Sequence, residues 1–305
     1  MNRGQRDFKK GIEHIQPERI ALYGFIHQES KQYPIASMCR CLSVGTSSYY
    51  DFMNKAKTKV LDQEIERKVI SVFWDHKRRY GTRRIVSELS DSGIDIGRER
   101  VGSIMRRNNL RAIQPKGYIP KTTTSSNQRR SPNLLLNREP PSRPNEVWVG
   151  DITYLPIVDG SWSYLASWMD LWSRMIVGWS VEDHMKEDLI ISAFKKGRKK
   201  RQPEKGMIVH SDGGGQYGSR MFRSILANGG FKQSMIRKAN PYDNAYAESM
   251  FSRFKAELLE GGKFISLEDA QIECFEFIES YYNNKRKHSS SGNKNPLQFE
   301  SEMGY

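Results

Sequence analysis

Apolar residues along this chain recur with two different periods, and the change between them falls near residue 145. From Glu18 to Ser30, Ile20, Tyr23 and Ile26 stand at helical spacing. Two short helices follow, Ile35 to Leu42 and Ser48 to Lys55, with SVGTSS between them. The unit then recurs. Leu61 to Arg79 predicts a long charged helix with Ile65, Val69 and Val72 turned inward. Gly81-Thr82 opens RRIVSELSD, where Ile85 and Leu89 stack one turn apart. After SGIDIG, the segment RERVGSIMRRNNL puts Val101, Ile104 and Met105 on one face. A Gly-containing turn between two short helices is the signature of a helix-turn-helix.

Past Asn145 the period shortens. EVWVGDITYLPIV, SWSYLASWMDLW and RMIVGWSVED are three β-rich runs with turn residues between them. A helix from Glu187 to about Arg201 comes next, then the buried strand GMIVHSD, a helix from Arg220 to Asn228, and the strand FKQSMIR. A long helix spans about Tyr242 to Glu260. The order βββαβαβα predicts an α/β ribonuclease H-like core, a mixed five-stranded sheet with helices, preceded by all-α helix-turn-helix domains. Leu267 to Asn283 predicts one more helix, followed by a polar tail. The expected boundaries are a polar N-terminal tail at 1–17, a first helix-turn-helix-like domain at 18–58, a second at 59–111, a basic Pro/Ser-rich linker at 112–145, the core at 146–262, and a C-terminal helix and tail at 263–305.

Charge sharpens this division. The 305 residues carry a net charge of +14, but residues 1–145 hold 28 Lys and Arg against 14 Asp and Glu, while the remainder balances at 21 against 21. A basic module joined to a neutral one points to polyanion binding by the first half. The second helix of the second module exposes Arg98, Arg100, Arg106 and Arg107, where a recognition helix meets DNA, and Arg83 and Arg84 open the helix before it. A basic run on a helix is ordinarily a solvated face, and its place on a bihelical turn is what favours DNA contact. Residues 112–145 read as a linker able to track a phosphate backbone, with an ordered loop as the alternative. Cys39, Cys41 and Cys274 make neither a disulfide framework nor a zinc set, and Cys39 and Cys41 read as core thiols. With no membrane-length apolar run and no signal-peptide core, the chain reads as cytosolic.

Three acids carry the candidate chemistry. Asp151 lies on a strand that should be central, and Asp212 ends a strand and precedes Gly213-Gly214-Gly215, which allows close backbone approach to a ligand. Glu248 follows after thirty-five intervening residues, in the first turns of an amphipathic helix. On that helix Ala247, Phe251, Phe254 and Leu258 form a buried stripe, and Asn244, Glu248, Ser252 and Lys255 form a polar one beside it. Gathered carboxylates repel unless a cation neutralises them, and hard oxygen donors suit magnesium or manganese. Two such ions roughly 3.5–4 Å apart serve an in-line displacement at phosphorus.

WVGDIT, HSDGGGQY and DNAYAESMFSRFKAEL, with SWMDLWSRMIVGWS between them, resemble the Asp-Asp-Glu transposases of bacterial insertion sequences. The likeness is best to the second-frame protein of the IS-three type, whose core is similar to retroviral integrases. RRYGTRRIVSEL and YYNNKRKHSSSGNKNPLQFE extend it over roughly residues 20–300. The resemblance implies that Asp151, Asp212 and Glu248 are the catalytic, metal-binding triad, holding two Mg2+ ions with Mn2+ able to substitute. It implies that Lys255 contacts the DNA end. The implied activity is binding of the element's terminal inverted repeats, strand cleavage, and transfer into target DNA, by at least a dimer on paired ends. An upstream helix-turn-helix and leucine-zipper protein is an implied partner or fusion. A nuclease that never joins strands and a non-catalytic DNA-binding regulator are the alternatives. His210 reads as hydrogen-bonded scaffolding and Asp170 as a turn residue, while Trp148, Trp162, Trp168, Trp172 and Trp179 read as core. Gly213 departs from relatives that carry a polar residue there.

Overall fold

The computed structural model describes residues 19–114, 131–236, 245–260 and 262–305, with the side chains of 245–250 outside the description. The N-terminal tail, much of the linker, and the side chains of Asn244, Ala247 and Glu248 therefore lie outside the described residues.

Five helices come first: α1 (Arg19–Glu29), α2 (Ile35–Cys41), α3 (Thr46–Asp75), α4 (Thr82–Asp91) and α5 (Arg98–Arg107). The two helices expected within 48–79 are one, the 30-residue α3. No Gly or Pro occurs between positions 46 and 75, so nothing stops a helix once it has started. Two cores sit at its two ends. Tyr23, Ile26, Met38, Cys39 and Tyr49 make the first. Ile65, Val69 and Phe73 join Ile85, Leu89, Val101, Ile104 and Met105 in the second. The solvated stretch between them contains the expected boundary at 58/59. Cys39 is buried as expected, while Cys41 is only partly so.

The second half forms the βββαβαβα core. Its elements are β1 (Val147–Pro156), β2 (Trp162–Asp170), β3 (Ile176–Glu182), α6 (Glu187–Arg201), β4 (Ile208–Ser211), α7 (Arg220–Gly229), β5 (Lys232–Met235) and α8 (Ala245–Leu259). The sheet order is β3-β2-β1-β4-β5, which makes β1 central. The first three strands pair antiparallel, and β4 runs parallel to both β1 and β5. Alternation along β1 sends Val147, Val149 and Leu155 into the core that includes Phe251, Phe254 and Leu258 of α8. Trp148 and Ile152 face the other core, with Leu189 and Phe194 of α6 and Phe222 of α7. Trp148 and Trp168 are core residues as expected; Trp172 and Trp179 are partly covered, and Trp162 is exposed at the turn end of the β1–β2 hairpin.

Gly150 explains how Trp168 fits. A Cβ at position 150 would lie 2.5 to 2.8 Å from three atoms of the Trp168 ring. Gly150→Ala is therefore expected to overpack this site and cost about 1–3 kcal/mol in urea unfolding. An unchanged midpoint would contradict this packing.

Two segments expected to be solvated are not. Residues 131–145 dock on β5: Ser131 Oγ donates to Gln233 Oε1 at 2.8 Å, and the Leu134 N–H donates to Ser234 Oγ at 2.8 Å. Leu134 and Leu135 pack on the core and anchor this half of the linker, while Leu136 is exposed. The C-terminal tail likewise folds back. Helix α9 (Leu267–Phe275) continues into a π-helical stretch (Glu276–Tyr282), and α10 (Pro296–Glu302) follows a 3-10 turn (Ser289–Ser291). Arg286, Lys287, His288 and Glu300 in this tail are all buried. They are buried because each finds an opposite charge or a hydrogen-bond partner. Arg201 of α6 makes a two-pronged pair with Glu300 at 2.7 and 2.8 Å.

The tail also fastens the second helical module to the core. Glu257 of α8 accepts from Arg286 through both carboxylate oxygens, and Arg84 Nη1 lies 3.3 Å from the same carboxylate. Tyr80 Oη accepts from the Lys287 N–H at 2.9 Å, and Lys287 Nζ pairs with Glu88 and Asp91 of α4. Arg79 pairs with Glu260 at 2.7 Å and lies over the Phe277 and Tyr281 rings.

Two histidines sit in this junction. His76 stacks on Tyr80 at 3.6 Å between ring centres and contacts Tyr281 Oη at 3.2 Å, with Glu88 at 3.9 Å. Burial, helped by Lys287, Arg84 and Arg79, lowers its pKa to about 4. Burial and the adjacent Arg286 likewise push His288 well below the ordinary value. The unfolded chain therefore takes up protons that the folded chain refuses. Stability from both groups is complete above about 6.5 and is lost as pH falls toward the His76 value of about 4. The urea midpoint is expected to drop between pH 7 and pH 5, and a flat profile would contradict buried neutral histidines.

Candidate active site

The register of the two central parallel strands brings the first two candidate acids together. Val147 pairs with Ile208, and Gly150 with Ser211. Asp151 and Asp212 are the residues that directly follow this last pair, one on each strand. Strand β4 stops at Ser211, so Asp212 stands at the carboxyl end of the parallel pair, where open α/β sheets form their ligand crevice. Asp212 is exposed and Asp151 half-buried. The Asp212 carboxylate accepts the Gly214 N–H at 3.0 Å, which turns the Gly-rich loop tightly around it. Gly214 has no Cβ to spare: one would lie 3.0 Å from Asp212 Oδ1 and 3.6 Å from Tyr217 Cδ2.

Helix α8 closes the site from the side. It packs against β1 and places Lys255 Nζ 2.8 Å from Asp151 Oδ2. Glu248 belongs to the same helix, seven residues earlier, about two turns away. Phe251, Phe254 and Leu258 are buried and Ser252 is exposed, as the amphipathic pattern predicts.

The surroundings suit a hard cation. An ammonium already neutralises Asp151, so the position tolerates positive charge. One buried hydroxyl lies cross-strand from Asp151 without a hydrogen-bond partner among the described residues, Ser167 Oγ. Oxygen donors of this kind fit magnesium or manganese. Among the described residues no three His, Cys, Asp or Glu side chains form a metal-holding group. The described part of the site supplies two carboxylates.

The remaining candidates sort by their partners. His210 is fully buried, with Nδ1 2.9 Å from Ser234 Oγ, which ties β4 to β5. Asp170 is also fully buried and accepts from the N–H groups of Asn145, Trp172 and Ser173, which makes it the organiser of the β2–β3 turn. Burial raises its pKa, against the lowering effect of those donors. Arg83, Arg98 and Arg106 are exposed on the second helical module, with Arg98 Nε 3.2 Å from Thr82 Oγ1. Arg100 and Arg107 pair with Asp62 and Glu66 of α3. Arg84 departs from the expected DNA contact: its guanidinium lies over Tyr80 and is committed to Glu257, inside the junction.

Tyr217 and the Glu257–Arg286 pair were not singled out by sequence. The signal for Tyr217 is a lone aromatic five residues after Asp212 in a Gly-rich loop. Glu257 and Arg286 carried none, because each reads as an ordinary surface charge.

Family comparisons agree with this architecture. Two models described as integrase core domain match residues 141–241 and 229–296, and one described as an HTH-like domain matches residues 60–118. The transposase for insertion sequence element IS904 of Lactococcus lactis is 40% identical over 78% of this chain and 96% of its own length. Transposase InsF for insertion sequence IS3A of Escherichia coli is 36% identical over 91% of this chain and 98% of its own. Among solved structures, the HTLV-2 integrase catalytic core domain in complex with magnesium is 17% identical, covering 52% of this chain and 98% of that one, with a TM-score of 0.39. With that identity across nearly the whole length of its relatives, the chain belongs to the IS3 family of insertion-sequence transposases.

Proposed function

We infer that this transposase-family chain cuts and joins DNA strands at a site formed by Asp151, Asp212 and Glu248. The observation that supports the reading is the strand register, in which Asp151 and Asp212 directly follow the paired residues Gly150 and Ser211 of two parallel strands, while α8, the helix of Glu248, packs against β1. The three carboxylates hold Mg2+ or Mn2+, and such ions, when bound, activate an attacking hydroxyl and stabilise the leaving oxygen at phosphorus. The chain is then a polynucleotidyl transferase that needs no covalent protein–DNA intermediate. Water attacks in the first cut and the freed 3′-hydroxyl in strand transfer.

The side chains divide the remaining work. Asp151 and Asp212 concentrate negative charge at the strand ends and hold the reacting phosphorus in register with β1 and β4. Lys255 balances Asp151, and once that carboxylate has another cation its ammonium turns to a DNA phosphate. Arg83, Arg98 and Arg106 offer free surface charge on α4 and α5 for the element end, Arg100 and Arg107 add to that field, and the basic first half makes binding salt-dependent. Residues 18–58 and 59–111 act as two DNA-binding modules joined by α3. Pairing two ends requires at least a dimer. No described helix is long and apolar enough to cross a membrane.

The test is a labelled element end incubated with target DNA and Mg2+. Joined products that need Mg2+ support the reading. Nicks that never proceed to joined products point to a nuclease, and binding without either points to a regulator.

A further inference from the structure

Helix α3 crosses open solvent on its way from the first helical module to the second. Residues 54–64 are all exposed, eleven in a row, between Tyr49 of the first core and Ile65 of the second. Even Val60 and Leu61 are left uncovered there. A helix solvated all round is characteristic of one that bridges two bodies. A flexible linker would join the modules while fixing neither their distance nor their rotation, whereas a continuous helix fixes both. Both modules are indexed to this one rod. It is the second helix of the first bihelical turn, with Thr46, Ser47 and Ser48 exposed at its start. In the second module it carries α5, through Arg100 on Asp62 and through Arg107 and Asn108 on Glu66.

The phase of the rod decides which side the modules share. Ser47 and Asp62 are 15 residues apart, which is about four turns and about 22 Å of rise. Asp62 therefore faces nearly the same side of α3 as Ser47 and Ser48, and Arg100 ties α5 to that side. Lys55 and Lys59 fall between them on this side and are exposed; Asp51, also on it, is followed one turn later by Lys55. Arg98 and Arg106 of α5 stay exposed beyond. The start of α3 and the helix α5 thus stand along one side of a single rod, with lysines between them.

We propose that the two modules read one DNA duplex as a single surface, with α3 as the ruler that sets the spacing and phase of two contact segments. One segment meets the start of α3 and the other the exposed arginines of α5, about 22 Å along the rod. This shared surface rests on the assignment of residues 18–58 and 59–111 to DNA binding made above. Simultaneous engagement by linked modules raises affinity by about 10²–10⁴, and the gain is lost when geometry forbids it. An element end is then selected by the separation of two short sequences as well as by their bases.

Inserting alanines after Lys57 in the full chain tests the phase. Two residues turn one module about 200° against the other and add only about 3 Å. Four turn it about 400°, nearly back to the start, and add about 6 Å. Alanine is the best helix former and the stretch touches neither core, so both chains should melt like wild type. Affinity for a labelled element-end duplex is read by fluorescence anisotropy. The two-alanine chain is expected to bind at least about tenfold more weakly, and the four-alanine chain to recover most of that loss. Wild-type affinity in both overturns the proposal, since the rod then fixes nothing. Equal loss in both also overturns it, since phase then does not matter. Ser47→Glu with Ser48→Glu is measured alongside, because acids at a helix start support folding while repelling DNA. If that variant binds like wild type, the first module does not touch DNA, and the two-module reading falls together with the ruler. If it loses affinity while both insertions bind like wild type, only the ruler falls.

Discussion

Asp151→Asn and Asp212→Asn should each lower strand cleavage and joining by about 10³-fold or more. Metal-assisted stabilisation at phosphorus contributes several kcal/mol, and each 1.36 kcal/mol is about a factor of ten in rate. An amide keeps the shape of the carboxylate but removes the charge that retains the cation. Glu248→Gln should behave alike. Folding should respond in the opposite sense. Two carboxylates one strand apart repel in the absence of metal, so neutralising either should leave the melting temperature unchanged or raised. Asp151→Asn also gives up the pair with Lys255, but both partners are about a third exposed, and such pairs contribute about 0–1 kcal/mol. The measurement is product yield from a labelled DNA end beside a thermal melt of each variant. A variant that keeps wild-type turnover removes that residue from the site. One that loses activity by unfolding says nothing for catalysis, which is why the melt is required.

The second large effect lies away from the chemistry. Glu257→Ala is expected to destabilise the chain by about 3–5 kcal/mol, because it strands the buried Arg286 and the largely buried Arg84 without their carboxylate. Burial raises the Glu257 pKa, but Arg286 and Arg84 outweigh it and hold the carboxyl below its ordinary value. Its stabilising contribution is therefore present above about pH 4.5 and lost as pH falls below that value. The double change Glu257→Met with Arg286→Met should cost less than the sum of the single changes, since no charge is left orphaned. Urea unfolding of the four chains gives the coupling directly. Strict additivity would mean that the pair does not act as a unit. Because Arg84 and Tyr80 bring the second helical module to this cluster, protease sensitivity around residues 76–82 should rise with Glu257→Ala and stay low in wild type.

Where an element's pattern was strong, the chain alone located it. Helix α6 begins at Glu187, and the β1, β2 and β3 runs fall where β-rich alternation ends in turn residues. The acids at 151 and 212 were legible for the same reason: each interrupts or ends an apolar run, and a carboxylate at a buried strand end needs a function or a partner. Lys255 was placed facing the cleft by counting two helical turns from Glu248, and its ammonium does lie on Asp151. The reading failed where charge decided the structure. Arg84 looked like a DNA contact and Arg286, Lys287 and His288 like a solvated tail, because sequence spacing carries no record of a distant partner: Arg84 meets Glu257 at a separation of 173 residues, Lys287 meets Ser87 at 200, and Arg286 meets Glu257 at 29.

Periodicity, charge asymmetry and three acidic positions settled the class of this chain, because they express local rules: two residues per strand repeat, 3.6 per helical turn, and the cost of an unneutralised carboxylate. Register and long-range pairing were left to the folded chain. A shift of one residue in β4 would have turned Asp212 to the opposite face of the sheet, and only the packed sheet sets it, like Asp151, directly after the last paired residues of β1 and β4. Likewise only the fold brings Glu257 to Arg286, converting two surface-like charges into a buried joint between the basic module and the core.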